Sequence, residues 1–235
     1  MVIFILCLLL GLVPHAAAVC DSSCLAAQKV SLQQLYSDLN GPQWSKQQGW
    51  AQATAAYCSW DGVRCCSSDN VMQGSTLACP LEGAVAGLDL AANNLAGAWP
   101  TAALAGLAAS LVHLNLRSNQ LSGPLPNSIQ DLTELQRLYI DNNKLSGQLP
   151  SSLGTMTNLT QLSAASNSFS GPLPASLSNL AQLQWLLLDS NKLTGGLDGT
   201  LLQLPQLQVL NLQDNQLSGP LPALTGSGEE HVWSV

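Results

Sequence analysis

Charge is scarce in this chain: Asp, Glu, Lys and Arg together supply 9% of its 235 residues, low for a soluble domain. Ser, Asn, Gln and Gly carry the polarity instead. Only seven residues are basic, they form no cluster, and the formal net charge is −7. An acidic chain without a basic stripe excludes nucleic acid as the expected partner. Histidine is scarcer still. Of the three, His15 and His231 lie near the two ends, which leaves His113 alone in the body of the chain. Nothing marks a nucleophile to accompany it. There is no phosphate-cradling glycine loop and no metal-ligand cluster. No catalysis, no cofactor and no metal site are therefore expected.

Long apolar runs are also missing, with one exception. Residues 2–13 are almost wholly apolar, Pro14 ends the run, and Ala16, Ala17 and Ala18 offer the small residues a signal peptidase prefers. The run is too short to span a membrane, which takes about 20 residues. Residues 1–18 are thus expected to be a secretory signal peptide, and no spanning segment is expected after it. Cysteine is absent beyond Cys79. Cys7 would leave with the signal, so six remain: Cys20, Cys24, Cys58, Cys65, Cys66 and Cys79. An even set in an exported chain points to disulfides that staple one end of the molecule. The spacings do not choose a connectivity. They also lack the Cys-x2-Cys pair and nearby histidines of a zinc site.

What the chain does have is a repeat. Asn119, Asn143, Asn167, Asn191 and Asn215 are spaced by 24 residues, and each sits in the same frame. Residues 111–126 read LVHLNLRSNQLSGPLP, residues 135–150 read LQRLYIDNNKLSGQLP, and residues 207–222 read LQVLNLQDNQLSGPLP. A further copy around Asn93 precedes the second by 26 residues, so that coil carries an insertion. Leu-x-Leu is a period of two. It turns Leu114 and Leu116 inward and His113, Asn115 and Arg117 outward, giving one short strand per coil of an exposed parallel sheet. Each Asn follows the strand, where its amide can donate and accept at once, so the ladder Asn93, Asn119, Asn143, Asn167, Asn191, Asn215 is structural. The Leu-Ser-Gly-x-Leu-Pro that follows reads as a bend, with proline suited to a turn or an edge. Segments such as residues 127–134 space apolar residues for a short 3₁₀ or α turn on the convex side.

Outward positions in successive coils form rows. One row is His113, Arg137, Gln161, Trp185 and Val209; the next is Asn115, Tyr139, Ser163, Leu187 and Asn211. Trp185, Leu187 and Val209 therefore meet on the concave face beside Arg137, Tyr139 and Asn211, a composition expected of an interface core. The flanking acids Asp141, Asp189 and Asp214 favour a partner with positive charge. Asp89, Asp141 and Asp189 read as one outward position in different coils, too open to water to work as paired glycosidase carboxylates. Asn158-Leu159-Thr160 is a glycosylation sequon just before a strand.

The frame L-x-x-L-x-L-x-x-N-x-L-S-G-x-L-P resembles plant-type leucine-rich repeats, as in receptor-kinase ectodomains and polygalacturonase-inhibiting proteins. Asn40–Trp44 (NGPQW), Trp50 and the CSWDGVRC of residues 58–65 resemble that family's amino-terminal cap, preceded by a helical face of Leu25, Leu32, Leu35 and Leu39. Trp44, Trp50 and Trp60 then read as cap core. The resemblance implies an α/β repeat fold: a right-handed, curved leucine-rich-repeat solenoid with short parallel strands on its concave face, 3₁₀ or α turns on its convex face, and a helical, disulfide-stapled cap. It also implies a Cys58–Cys65 bond, leaving Cys20, Cys24, Cys66 and Cys79 unassigned. The expected organisation is signal peptide 1–18, cap 19–84, six repeats 85–222, and a tail 223–235 with no recognisable carboxy-terminal cap. The implied function is extracellular or cell-surface recognition of a protein or peptide, with a secreted hydrolase or a receptor as partner. A polygalacturonase-inhibitor-like protein and a truncated receptor-kinase ectodomain are the alternatives.

Overall fold

The computed structural model describes residues 18–51, 56–220 and 232–234. The signal segment, except for Ala18, and most of the tail lie outside the described residues.

Helix Ser22–Asp38 opens the cap. Asp21 caps it, its carboxylate accepting the Cys24 amide at 2.9 Å. Its buried face is Gln28, Leu32 and Leu35, with Leu39 just beyond. Leu25, expected on that face, is 37% exposed. Gln28 takes part instead because a buried polar network awaits it: its Nε2 donates to Ser110 Oγ at 2.9 Å, and its Oε1 accepts the Val85 amide at 2.7 Å. Ser110 Oγ in turn donates to the Val85 carbonyl at 2.8 Å. Every partner is satisfied, so burying these groups costs little. Beneath the helix, Trp44, Trp50 and Trp60 are buried and pack on one another, Trp44 edge-on to Trp50 at 4.9 Å. Three disulfides fix this end: Cys20–Cys24, Cys58–Cys65 and Cys66–Cys79.

From there the chain winds as a solenoid. The concave sheet has eight strands. Val63–Cys65 from the cap pairs antiparallel with Val85–Asp89, and His113–Asn115, Arg137–Tyr139, Gln161–Ser163, Trp185–Leu187 and Val209–Asn211 follow in parallel. Register advances by one repeat per strand: His113 lies beside Arg137, Arg137 beside Gln161, and Gln161 beside Trp185. Val232–Ser234, in the tail, adds an eighth strand beside Val209–Asn211. This strand covers the last edge of the sheet.

Each coil contributes a second strand that was expected as a bend. Ala96–Gly97, Gln120–Pro124, Lys144–Gln148, Ser168–Pro172, Lys192–Gly195 and Gln216–Leu217 form a six-stranded lateral sheet. The Ser-Gly-x segments pair coil to coil because the glycine takes a positive φ (+81° at Gly147) that lets the strand bend onto the flank. Proline falls at the strand end, where a missing N–H costs no ladder bond. On the convex side lie 3₁₀ turns, such as Asn127–Asp131 and Ser151–Thr155. In the first coil the two extra residues are accommodated by an α-helical turn, Thr101–Ala105.

The inward leucines form one continuous core from Leu32 to Leu212, with Leu114, Leu138, Leu162, Leu186 and Leu210 all essentially inaccessible. Each strand leaves through a residue in the left-handed region (Ser118, Asn142, Ser166, Ser190, Asp214), which turns the backbone toward the ladder asparagine. Asn167 is typical. Its Nδ2 donates to the Ile140, Ala164 and Ala165 carbonyls, and its Oδ1 accepts the Leu145 amide at 3.0 Å. Asn93, first in the ladder, performs the same task toward the cap, donating to the Lys46 carbonyl at 2.9 Å.

Candidate functional site: the concave face

The concave strands present two distinct halves. Toward the carboxy-terminal end, Trp185 is 40% exposed, with half-buried Leu187 and Val209 alongside. Other large hydrophobics exposed among the described residues are Val19, Leu25 and Val30, all in the cap region. Among the described residues of the repeats, Trp185 is the one large apolar side chain given to water. Register places Val209 directly beside it in its own row, and Leu187 beside Asn211 and Ser163 in the next.

Toward the cap the face is a polar network. Arg64, on the antiparallel strand, lies 3.8 Å from Asp89, whose other oxygen accepts from Asn115 Nδ2 at 3.0 Å. Arg117 lies 3.4 Å from Asp141, which also accepts from Ser163 Oγ. Tyr139 donates its hydroxyl to Gln161 Oε1 and takes the His113 ring edge-on at 5.6 Å. Burial pushes the Tyr139 phenol upward. His113 is held below its ordinary range, chiefly by burial; Arg137 and Arg64 add to this and Asp89 opposes it.

Several expected residues stand differently from the sequence reading. Asp141 is 3% exposed and engaged by Arg117 and Ser163, so it offers no free carboxylate to a partner. Asp89 pairs in register with Asn115, whereas Asp141 lies one outward position further on, so the three aspartates do not share a row. The cause is simple: Gly87-Leu88-Asp89 aligns with His113-Leu114-Asn115 once the 26-residue step is counted. Asn211 spends its Oδ1 on the Gln213 amide at 3.2 Å. Arg137, Tyr139, Trp185, Leu187 and Val209 do lie together on the face. Arg64 was not anticipated; its signal was the alternation Val63-Arg64-Cys65, in which both neighbours are buried. Asn158 is exposed, and its Nδ2 donates to the Thr133 carbonyl at 2.9 Å. Among the described residues no group of His, Cys, Asp or Glu could hold a metal, and no helix is long and apolar enough to cross a membrane.

The described residues thus form a parallel solenoid with an asparagine ladder and an open concave sheet. Leucine rich repeat family models match residues 85–145 and 134–193, and a second matches residues 206–227, more than half of the chain. The chain belongs to the leucine-rich-repeat family, and its relatives make it one of the plant type. It is 36% identical over 96 residues to the LRR receptor-like serine/threonine-protein kinase GSO2 of Arabidopsis thaliana, covering 37% of this chain and 8% of that kinase. The BIR2 ectodomain from Arabidopsis thaliana superposes with a TM-score of 0.69 at 26% identity, over 86% of this chain and 98% of that one. The plant peptide hormone receptor RGFR1, solved in complex with RGF2, gives 0.51 at 35% identity over 53% of this chain and 20% of the receptor. The chain therefore spans only a small part of the kinase and the hormone receptor it matches.

Proposed function

We propose that the protein is an extracellular recognition module that binds a protein or peptide through its concave face. The observation that carries this reading is Trp185: a large apolar side chain exposed in mid-sheet, flanked by Leu187 and Val209 and bordered by a hydrogen-bonded polar network. An apolar centre with a satisfied polar surround is the anatomy of an interface. Three disulfides in the cap support an oxidising compartment. RGFR1 in complex with RGF2, a receptor with the same repeat, supports a peptide or protein ligand.

A second reading is that the chain is the ectodomain portion of a receptor. It rests on extent: the chain covers 98% of the BIR2 ectodomain. Both readings use the same face.

The test is capture of extracellular and membrane proteins on immobilised wild type, Trp185→Ala and Ser146→Ala, the last changing only the lateral sheet. Retention by wild type and Ser146→Ala, with tenfold or greater loss on Trp185→Ala, supports the concave face. Equal retention by all three rules it out.

A further inference from the structure

The row that runs through His113, Arg137 and Trp185 begins at Gly87, which lies between Arg64 and His113. Gly87 brings no side chain to the row, and the space is filled from elsewhere: a Cβ there would collide with the sulfur of Met72. Met72 belongs to the loop closed by the Cys66–Cys79 disulfide. The underside of that loop, Cys66, Met72, Leu77 and Cys79, makes a small apolar core with Ala86 and Val112, separate from the core of the solenoid. Ala86 and Val112 start the neighbouring row, whose later members, joined by one backbone bond per coil, are Gln136, Thr160, Gln184 and Gln208. The row is apolar where the loop sits and polar from the next coil on. At the boundary Gln136 Nε2 donates to the Ala78 carbonyl at 3.1 Å, and Ala78 itself is exposed.

The loop is firmly held. The Met72 and Cys79 amides close it on the Leu77 and Asn70 carbonyls at 2.9 and 2.8 Å, and the Gln73 amide ties it to the Cys65 carbonyl at 2.9 Å. A contact made by such a segment costs little further ordering. The loop also shortens the open face. From Arg137 the row crosses four strand spacings to Val232, about 19 Å at about 4.8 Å each. An extended peptide advances about 3.3 Å per residue, so about six residues fit there. A specific protein interface takes about 20–30 residues a side, and six extended residues leave most of it unmade.

We propose that the Cys66–Cys79 loop is a fixed wall of the recognition site, closing it toward the cap at Ala78, and that the occupant is a protruding turn of a folded protein, apolar at its tip. The tip meets Trp185, Leu187 and Val209, and one flank rests against the loop at Ala78. This rests on the concave-face reading above. It narrows the partner from any protein or peptide to a preformed projection, because the body behind a turn supplies the contacts that a short extended segment lacks.

The experiment uses the full chain and random dodecapeptides displayed in two forms, linear and closed into a ring by flanking cysteines, keeping only binders lost on Trp185→Ala. The proposal expects these binders to come from the ring library and to weaken tenfold or more when the ring is opened by replacing its cysteines with serine. They should weaken as much on Ala78→Trp and on Ala78→Arg, two changes that share bulk but not chemistry, at an unchanged melting profile. Trp185-dependent binders that are indifferent to ring opening overturn the turn, and binders indifferent to both Ala78 changes overturn the wall. Either result leaves the concave-face reading standing. No Trp185-dependent binder in either library overturns that reading and the proposal together.

Discussion

Asn119 reaches back across one coil to Asn93: its Oδ1 accepts the Asn93 and Leu95 amides at 3.0 Å each, while its Nδ2 donates to the Leu90 and Leu116 carbonyls at 2.9 Å. One side chain thus satisfies backbone groups of two successive coils that the solenoid buries. Asn143, Asn167, Asn191 and Asn215 repeat the pattern. The ladder holds the strands in a register that makes rows of side chains, and the rows make the concave site.

Asn167→Ala should therefore destabilise the array well beyond an ordinary surface change. It orphans the Leu145 amide and takes one of two donors from the Ile140 carbonyl, which keeps Asn143, at a cost of about 1–3 kcal/mol. Urea unfolding checks this. A midpoint equal to wild type would show that water replaces the amide.

Gln28 joins the cap to the first coil by hydrogen bonds, beside the apolar packing they share. Gln28→Ala leaves Ser110 and the Val85 amide without their partner, and should cost about 1–3 kcal/mol. Gln34→Ala, on the exposed side of the same helix, loses only a bond to Asp38 and should stay within about 0.5 kcal/mol. Equal effects from the two changes would show that the buried network contributes nothing.

The repeat was legible because 24-residue spacing is a strong signal, and inward leucines such as Leu138 and Leu186 followed from the period of two. The lateral sheet was not. Ser146-Gly147 carries no alternation of apolar residues, and its strand exists only because the neighbouring coils pair with it. Trp185 and its neighbours were legible as a row. The commitments of Asp141 and Tyr139 were not, since they depend on which side chains meet across coils 22 residues apart in sequence.

His113 should titrate below the ordinary histidine value of about 6.5. Burial is the main cause, with Arg137 and Arg64 acting in the same direction, Asp89 against it, and the Tyr139 ring at its edge. The unfolded chain takes up this proton first as pH falls. The stability given by neutral His113 is thus present above about pH 6.5 and is lost as pH drops through the folded value. An NMR titration of the imidazole should show a depressed midpoint, and His113→Gln should flatten the stability difference across that window. A midpoint at or above 6.5 contradicts the burial account.

Expression through a eukaryotic secretory route should add a glycan at Asn158, which is exposed at its sequon. An endoglycosidase-sensitive mass shift that disappears in Asn158→Gln checks it. An unshifted mass in the secreted wild type would remove the site.

The most direct measurement of the central claim sets binding against stability in two variants, one at an inward and one at an outward strand position. Leu138→Ala empties a buried core position and should cost about 2–5 kcal/mol of stability. Trp185→Ala removes an exposed concave side chain; it should leave unfolding within about 0.5 kcal/mol of wild type and weaken partner binding by tenfold or more. If Trp185→Ala unfolds at the wild-type midpoint and binds with wild-type affinity, the concave face is not the recognition surface.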